Sequence, residues 1–159
     1  MKIKIYAIGK IKDSYLKEGI NSYLIRLQNY ADVEIIEVND SAIKDETSLI
    51  EISKAKDIEG EKVLKLVKPN EYLIGLDLNK KELDSVEFSK YLQEKLIDNG
   101  SRISFVIGGS YGLSDELKSR LNDSLSLSKM TFLHQMTRLI LLEQIYRAFK
   151  IINKETYHK

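Results

Sequence analysis

The sequence predicts an α/β fold, a single domain built on a mainly parallel sheet. Apolar runs of strand length (KIKIYAIG, VEIIEVN, YLIGLDL and ISFVIGG) recur along the 159 residues. Segments with helical spacing of apolar side chains fill the intervals, which is the pattern of repeated strand–helix–strand units. No linker, repeat or low-complexity stretch divides the chain, and its length suits one domain.

The elements follow in order. Lys2 to Gly9 is the first strand, and an amphipathic helix runs from Asp13 to Leu27. Val33 to Asn39 is the second strand. From Glu46 to Val67 the apolar residues Leu49, Ile52, Ile58, Val63, Leu64 and Val67 keep helical spacing, and the only proline, Pro69, stops the run. Tyr72 to Leu78 is the third strand, followed by a helix from Val86 to Ile97 that ends at Asn99-Gly100. Ile103 to Gly109 is the most apolar strand, which places it at the centre of the sheet. A short helix, Asp115 to Leu121, leads to a last strand, Leu125 to Ser128, and then to a long final helix. Ligands of open sheets bind beyond the carboxyl ends of the strands. The loops after Leu78, Gly109 and Ser128 are therefore the places to look.

Composition narrows the function. At 43% hydrophobic and 31% charged, the chain can bury a core and stay soluble. It has no cysteine, which excludes disulfides and cysteine-based metal sites or nucleophiles, and two histidines argue against structural zinc. The amino terminus lacks a signal-peptide core and no run approaches a membrane span, so a cytoplasmic protein is expected. Net charge is only +1, but from Lys129 to Lys159 six basic residues face two acidic ones. A polyanion would be attracted there, although basic residues also suit the carboxyl end of a helix.

Four segments carry candidate chemistry. IGGSYG, Ile107 to Gly112, offers glycines after a buried strand, serving either a tight turn or a close backbone approach to a ligand. It is neither GxGxxG nor a phosphate loop. LSKMTF, Leu127 to Phe132, offers free backbone groups and an apolar wall suited to a heterocycle, or an ordinary strand-to-helix connection. On the final helix, Leu141, Ile145, Phe149 and Ile152 share one face at about 100° per residue. His134 and Arg138 project from the amino-terminal end of that same face. A guanidinium in such a place needs an anion or several acceptors, since burying it unpaired is costly. Glu143 and Arg147, on the opposite face, have the i,i+4 spacing of an exposed ion pair. Leu139 to Leu142 is apolar all round, so the helix must be covered on more than one side, and a second subunit would do this. The chain ends Tyr157-His158-Lys159, either a frayed end or a segment that folds over a site and contacts a base and phosphate.

Taken together, KIKIYAIGKIKDSY, LIGLDLNKKELDS, FVIGGSYGL, LSLSKMTFLHQMTRLILLEQIYRAFKI and the terminal YHK give a resemblance over essentially the whole chain. It resembles the bacterial SPOUT-class methyltransferases of the H type, which modify N3 of a pseudouridine in 23S ribosomal RNA. One departure is Leu133, where that family usually has proline. The resemblance implies an α/β domain with a carboxyl-terminal trefoil knot and a homodimer acting on 23S rRNA within the ribosome. It implies S-adenosylmethionine as cofactor, held by loops matching Leu76, Gly108, Gly109, Leu127, Ser128, Lys129, Met130, Thr131 and Phe132. It implies an active site drawing on His134, Arg138, Glu143, Arg147, Tyr157, His158 and Lys159, with either histidine available as proton acceptor. Neither a metal nor a membrane is expected as partner. Two other readings compete: a nucleotide- or flavin-binding α/β protein using IGGSYG for phosphate, and a non-catalytic ribosome-binding factor.

Overall fold

Side-chain alternation sets the layers. In the computed structural model, which describes residues 1–157, β1 (Lys2–Ile8) turns Ile3 and Ile5 to one side and Tyr6 and Ile8 to the other. β4 (Arg102–Ile107) places Ile103, Phe105 and Ile107 on the first side and Val106 on the second. β2 (Asp32–Val38), β3 (Leu73–Glu82) and β5 (Asp123–Ser126) complete one sheet in the order β2-β1-β4-β3-β5, every pairing parallel. The most apolar strand is thus the central one.

Helices α1 (Ser14–Leu27), α3 (Ser85–Asp98) and α5 (His134–Ile152) cover the first face, and α2 (Leu49–Leu66) and α4 (Asp115–Arg120) the second. Ile5, Ile74 and Phe105 are fully buried in the first core, each contributing about 1.5–3 kcal/mol of transfer free energy. Helix starts are set locally. Asp84 and Glu87 form a reciprocal capping box at α3, and Ser48 and Ser114 each accept the third amide of α2 and α4. α5 starts without a side-chain cap, at Leu133.

The sequence-predicted strands shift at the sheet's edge. β5 spans Asp123–Ser126, because Asp123 and Ser124 already pair with Ile74 and Gly75, while Leu127 and Ser128 have left the ladder. β3 runs on to Glu82, and both Leu76 and Lys81 are in register with Leu125. Asp77 to Lys80 therefore loop out between them, with Asn79 at φ +58°. Ser126 pins this bulge: its hydroxyl donates to the Asp77 carbonyl and accepts from the Lys80 amide at 3.0 Å.

α5 lies between α1 and α3, which cover Leu141 and Leu142 within one chain, and Leu139 packs on Gly19. Glu143 and Arg147 are half-buried rather than exposed, because Tyr157 lies over the guanidinium at 4.8 Å and shares hydrogen bonds with Glu143 and Tyr23. Behind the second face, Glu71 accepts from Lys4 (2.9 Å), Tyr6 (2.9 Å), Ser104 (2.8 Å) and the Lys68 amide (3.2 Å), a partly buried carboxylate with its hydrogen bonds made. Among the described residues, no helix is long and apolar enough to cross a membrane, and no group of three His, Cys, Asp or Glu is placed to hold a metal ion.

Candidate active site

Three loops meet beyond the carboxyl ends of β3, β4 and β5 around a cavity of about 560 Å³, ample for a small organic ligand. The first wall is Leu76, Asp77 and Leu78, the last regular residue of β3 and the start of its bulge. The second is Ile107 to Gly112, where the Gly112 amide donates to the Gly109 carbonyl at 3.1 Å and closes a tight turn. A Cβ on Gly108 would stand 2.7 Å from the Gly112 carbonyl carbon, so only glycine permits this approach. The third wall is Leu127, Ser128 and Met130 to Leu133, continued by His134 and Thr137 on the first turns of α5. A smaller hollow of about 360 Å³ lies between the far ends of α1, α3 and α5, with no charged side chain in its wall among the described residues.

The predicted cofactor residues Leu76, Gly108, Gly109, Leu127, Ser128, Met130, Thr131 and Phe132 all line this cavity. Lys129 belongs to the same loop but points to solvent, outside the wall. Of the predicted catalytic residues, His134 reaches the cavity. Its Nε2 is 3.3 Å from where a Cβ on Gly9 would stand, so the β1–α1 turn presses on the ring. Burial, and then the neighbouring Arg138 charge, hold its pKa below the ordinary histidine value, with Asp40 pulling the other way. The imidazole is thus favoured in its neutral, proton-accepting form.

Arg138 does not reach the cavity. It is 2% exposed and turned inward, donating to Glu37 Oε2 at 2.7 Å and to the Gly9 carbonyl at 3.0 Å. Glu37, at the end of β2, is the anion that an inward guanidinium requires, and local spacing gave no sign of it. Glu143, Arg147 and Tyr157 form their own cluster against α1, away from the cavity wall of this chain. His158 and Lys159 lie outside the described residues. The sequence reading also missed Thr137 and Asp77. Thr137 stands one turn after His134 and was within reach of helical spacing. Asp77, ion-paired with Lys118 at 3.4 Å, reads locally as an ordinary strand end.

A pocket beyond the carboxyl ends of a parallel sheet, closed by a glycine turn and a strand-to-helix loop, has the form of a small-molecule site in an α/β protein. The family model described as Predicted SPOUT methyltransferase matches residues 1–158, and the chain belongs to that family of methyltransferases. Within it, the chain is similar over its full length to proteins named ribosomal RNA large subunit methyltransferase H. It is 50% identical to that of Carboxydothermus hydrogenoformans over 159 residues, 100% of both chains. It is 46% identical to that of Enterococcus faecalis and 50% identical to that of Acetivibrio thermocellus, again over 100% of both chains. A solved Legionella pneumophila methyltransferase in complex with the bound cofactor SAM aligns with a TM-score of 0.48 and 12% identity, covering 94% of this chain and 66% of that one.

Proposed function

We propose that the chain transfers a methyl group from S-adenosylmethionine to N3 of a pseudouridine in 23S ribosomal RNA, as a cytoplasmic homodimer working on the ribosome. The observation that carries this reading is the convergence of the three loops on one cavity with His134 in its wall, in a chain similar end to end to large-subunit rRNA methyltransferases. The cavity suits the cofactor's chemistry. Leu76, Leu127, Met130 and Phe132 offer apolar walls for adenine and the thioether stem, and the glycine turn exposes backbone groups for the purine edge. The Asp77 carboxylate and the Ser110, Ser128, Thr131 and Thr137 hydroxyls are among the polar groups within reach.

When bound, S-adenosylmethionine supplies an electrophilic methyl group on a sulfonium. The chain's task is then to orient the acceptor in line and to remove the imide proton from N3, which turns a weakly acidic nitrogen into a nucleophile. His134, neutral and on the cavity wall, is suited to take that proton; His158 is the second histidine in question. Glu143, Arg147, Tyr157 and Lys159 are assigned to the pocket of the partner subunit and to the RNA. Met130, Phe132, Leu133 and Tyr111 are exposed around the cavity mouth, and Tyr15 and Ile25 on α1, which supports a covering second copy. The carboxyl-terminal knot is part of the same proposal. In its support, the chain leaves β5 at one edge and crosses the ends of β3 and β4 to bring His134 and Gln135 onto Gly9 and Lys10, after β1.

The test is transfer of labelled methyl from S-adenosylmethionine to ribosomes that lack the modification, with mapping of the product nucleotide. Label at N3 of one large-subunit pseudouridine is the expected result. Ribosome binding without transfer would favour the non-catalytic factor.

A further inference from the structure

The β1–α1 turn is tied to the start of α5 by three side chains from distant parts of the sequence. Arg138 donates to the Gly9 carbonyl at 3.0 Å, Gln135 donates to the Lys10 carbonyl at 3.1 Å, and the Ile11 amide donates to Glu37 Oε2 at 3.3 Å. Glu37 Oε2 also receives Arg138 at 2.7 Å, so one carboxylate oxygen joins both sides of the junction. Gly9, at φ +94°, brings the turn against the His134 ring. Arg138 Nε is buried without a hydrogen-bond partner among the described residues. Among the described residues, Glu37 is the one carboxylate within ion-pair distance of the guanidinium.

We propose that Glu37 is a positioning residue for the methyl-transfer site: by pairing with Arg138 it locks the β1–α1 turn across His134 and sets the net charge beside the imidazole. The inference rests on His134 being the proton acceptor of the reaction proposed above. Nothing places Glu37 in contact with cofactor or substrate; it acts through Arg138. The charged groups bearing on His134 are Arg138 one turn along its own helix and Asp40 in the β2–α2 connection, with Glu37 at the end of β2 compensating Arg138. A cation close to the ring disfavours the imidazolium, and its counterion moderates that effect. Glu37 and Arg138 should therefore move the His134 titration in opposite directions.

The experiment is NMR titration of ring-labelled histidine in the parent protein, Glu37→Gln and Arg138→Gln, with His134→Gln to identify the signal. Affinity for S-adenosylmethionine and the pH profile of single-turnover methyl transfer are measured alongside. Glu37→Gln leaves the Arg138 charge uncompensated, so the His134 midpoint falls and the acid limb of the rate profile moves to lower pH with it. Arg138→Gln removes the cation, so both move to higher pH. A purely structural pair would lower stability in both variants without opposed titrations. Shifts of the same sign, or no shift in a folded Glu37→Gln protein, would overturn the proposal. So would a titration that moves while the rate profile stays. Should Arg138→Gln fail to fold, Arg138→Lys keeps the charge and should leave the midpoint near that of the parent, while Glu37→Gln still decides. A parent protein that titrates normally yet transfers no methyl contradicts the reaction itself, not the charge relation.

Discussion

Gly108→Ala probes the cavity where its geometry is tightest. An added Cβ would lie 2.7 Å from the Gly112 carbonyl carbon and 3.0 Å from its Cα and oxygen, all backbone atoms that no rotamer change can move. Carbon pairs settle at about 3.5 Å or more, so the two strands of the turn must part by roughly 0.8 Å. That separation breaks the Gly112-to-Gly109 hydrogen bond, now 3.1 Å, and displaces the loop that walls the cavity. Overpacking of this kind costs about 1–3 kcal/mol. In a chain of 159 residues each kcal/mol moves the melting midpoint by about 2–4 °C, so a fall of several degrees is expected. Affinity for S-adenosylmethionine should fall at least about tenfold, equivalent to about 1.4 kcal/mol. Calorimetric titration and thermal denaturation read the two effects. Gly100→Ala is the control: it strains a positive φ, +61°, which Gly108 does not have, but its Cβ meets nothing within 4 Å and it lies in the turn before β4, at the opposite end of the sheet. It should lower stability and leave affinity alone. A Gly108→Ala protein that melts and binds like the parent would refute the reasoning that the loop's close approach builds the site.

Three further outcomes are expected. Ser126→Ala releases the Asp77 to Lys80 bulge, so cofactor affinity should weaken several-fold with about 1–2 kcal/mol of stability lost; unchanged affinity would show that the bulge holds itself. Glu71→Gln should lower stability at neutral pH and flatten its acid dependence. Burial opposes ionisation of Glu71, but hydrogen bonds from Lys4, Ser104 and Tyr6 prevail and leave its folded pKa below the carboxylate value. Its contribution is therefore present above about pH 4.5 and lost as pH falls through the folded value, and denaturant midpoints at pH 7 and pH 3 check this. Leu133→Pro should raise the melting midpoint slightly, by about 0.4–1 kcal/mol in free energy, because Leu133 already holds φ −55° at the start of α5. A loss of stability would show that its amide or the residue before it resists proline.

Much of the scaffold was legible because burial follows period. Ile3 and Ile5 against Tyr6 and Ile8, and the largely apolar run of β4, interrupted only by Ser104 after Arg102, announced strands covered on both faces. The placement of His134 and Arg138 on the inward side of α5 was legible for the same reason. What the sequence hid depends on pairing across long separations. Glu37 meets Arg138 from 101 residues away, and the i,i+4 and period-2 rules do not reach that far. The Asp77 to Lys80 bulge arises because β5 sets the register on both sides of it, which the local stretch LDLNKKE cannot reveal. Glu143 and Arg147 read as a solvated pair because the cover over them comes from Tyr157 and from Tyr23 on α1.

In the proposed reaction, the cavity enclosed by Leu76, the Gly108–Gly112 turn and the Leu127–Phe132 loop holds S-adenosylmethionine. Calorimetric titration of the purified protein, with NAD and FMN as controls, tests it most directly. Saturable binding of S-adenosylmethionine alone, weakened by Gly108→Ala, is the predicted result. A folded protein that takes up no S-adenosylmethionine, or that binds NAD or FMN in its place, would contradict it.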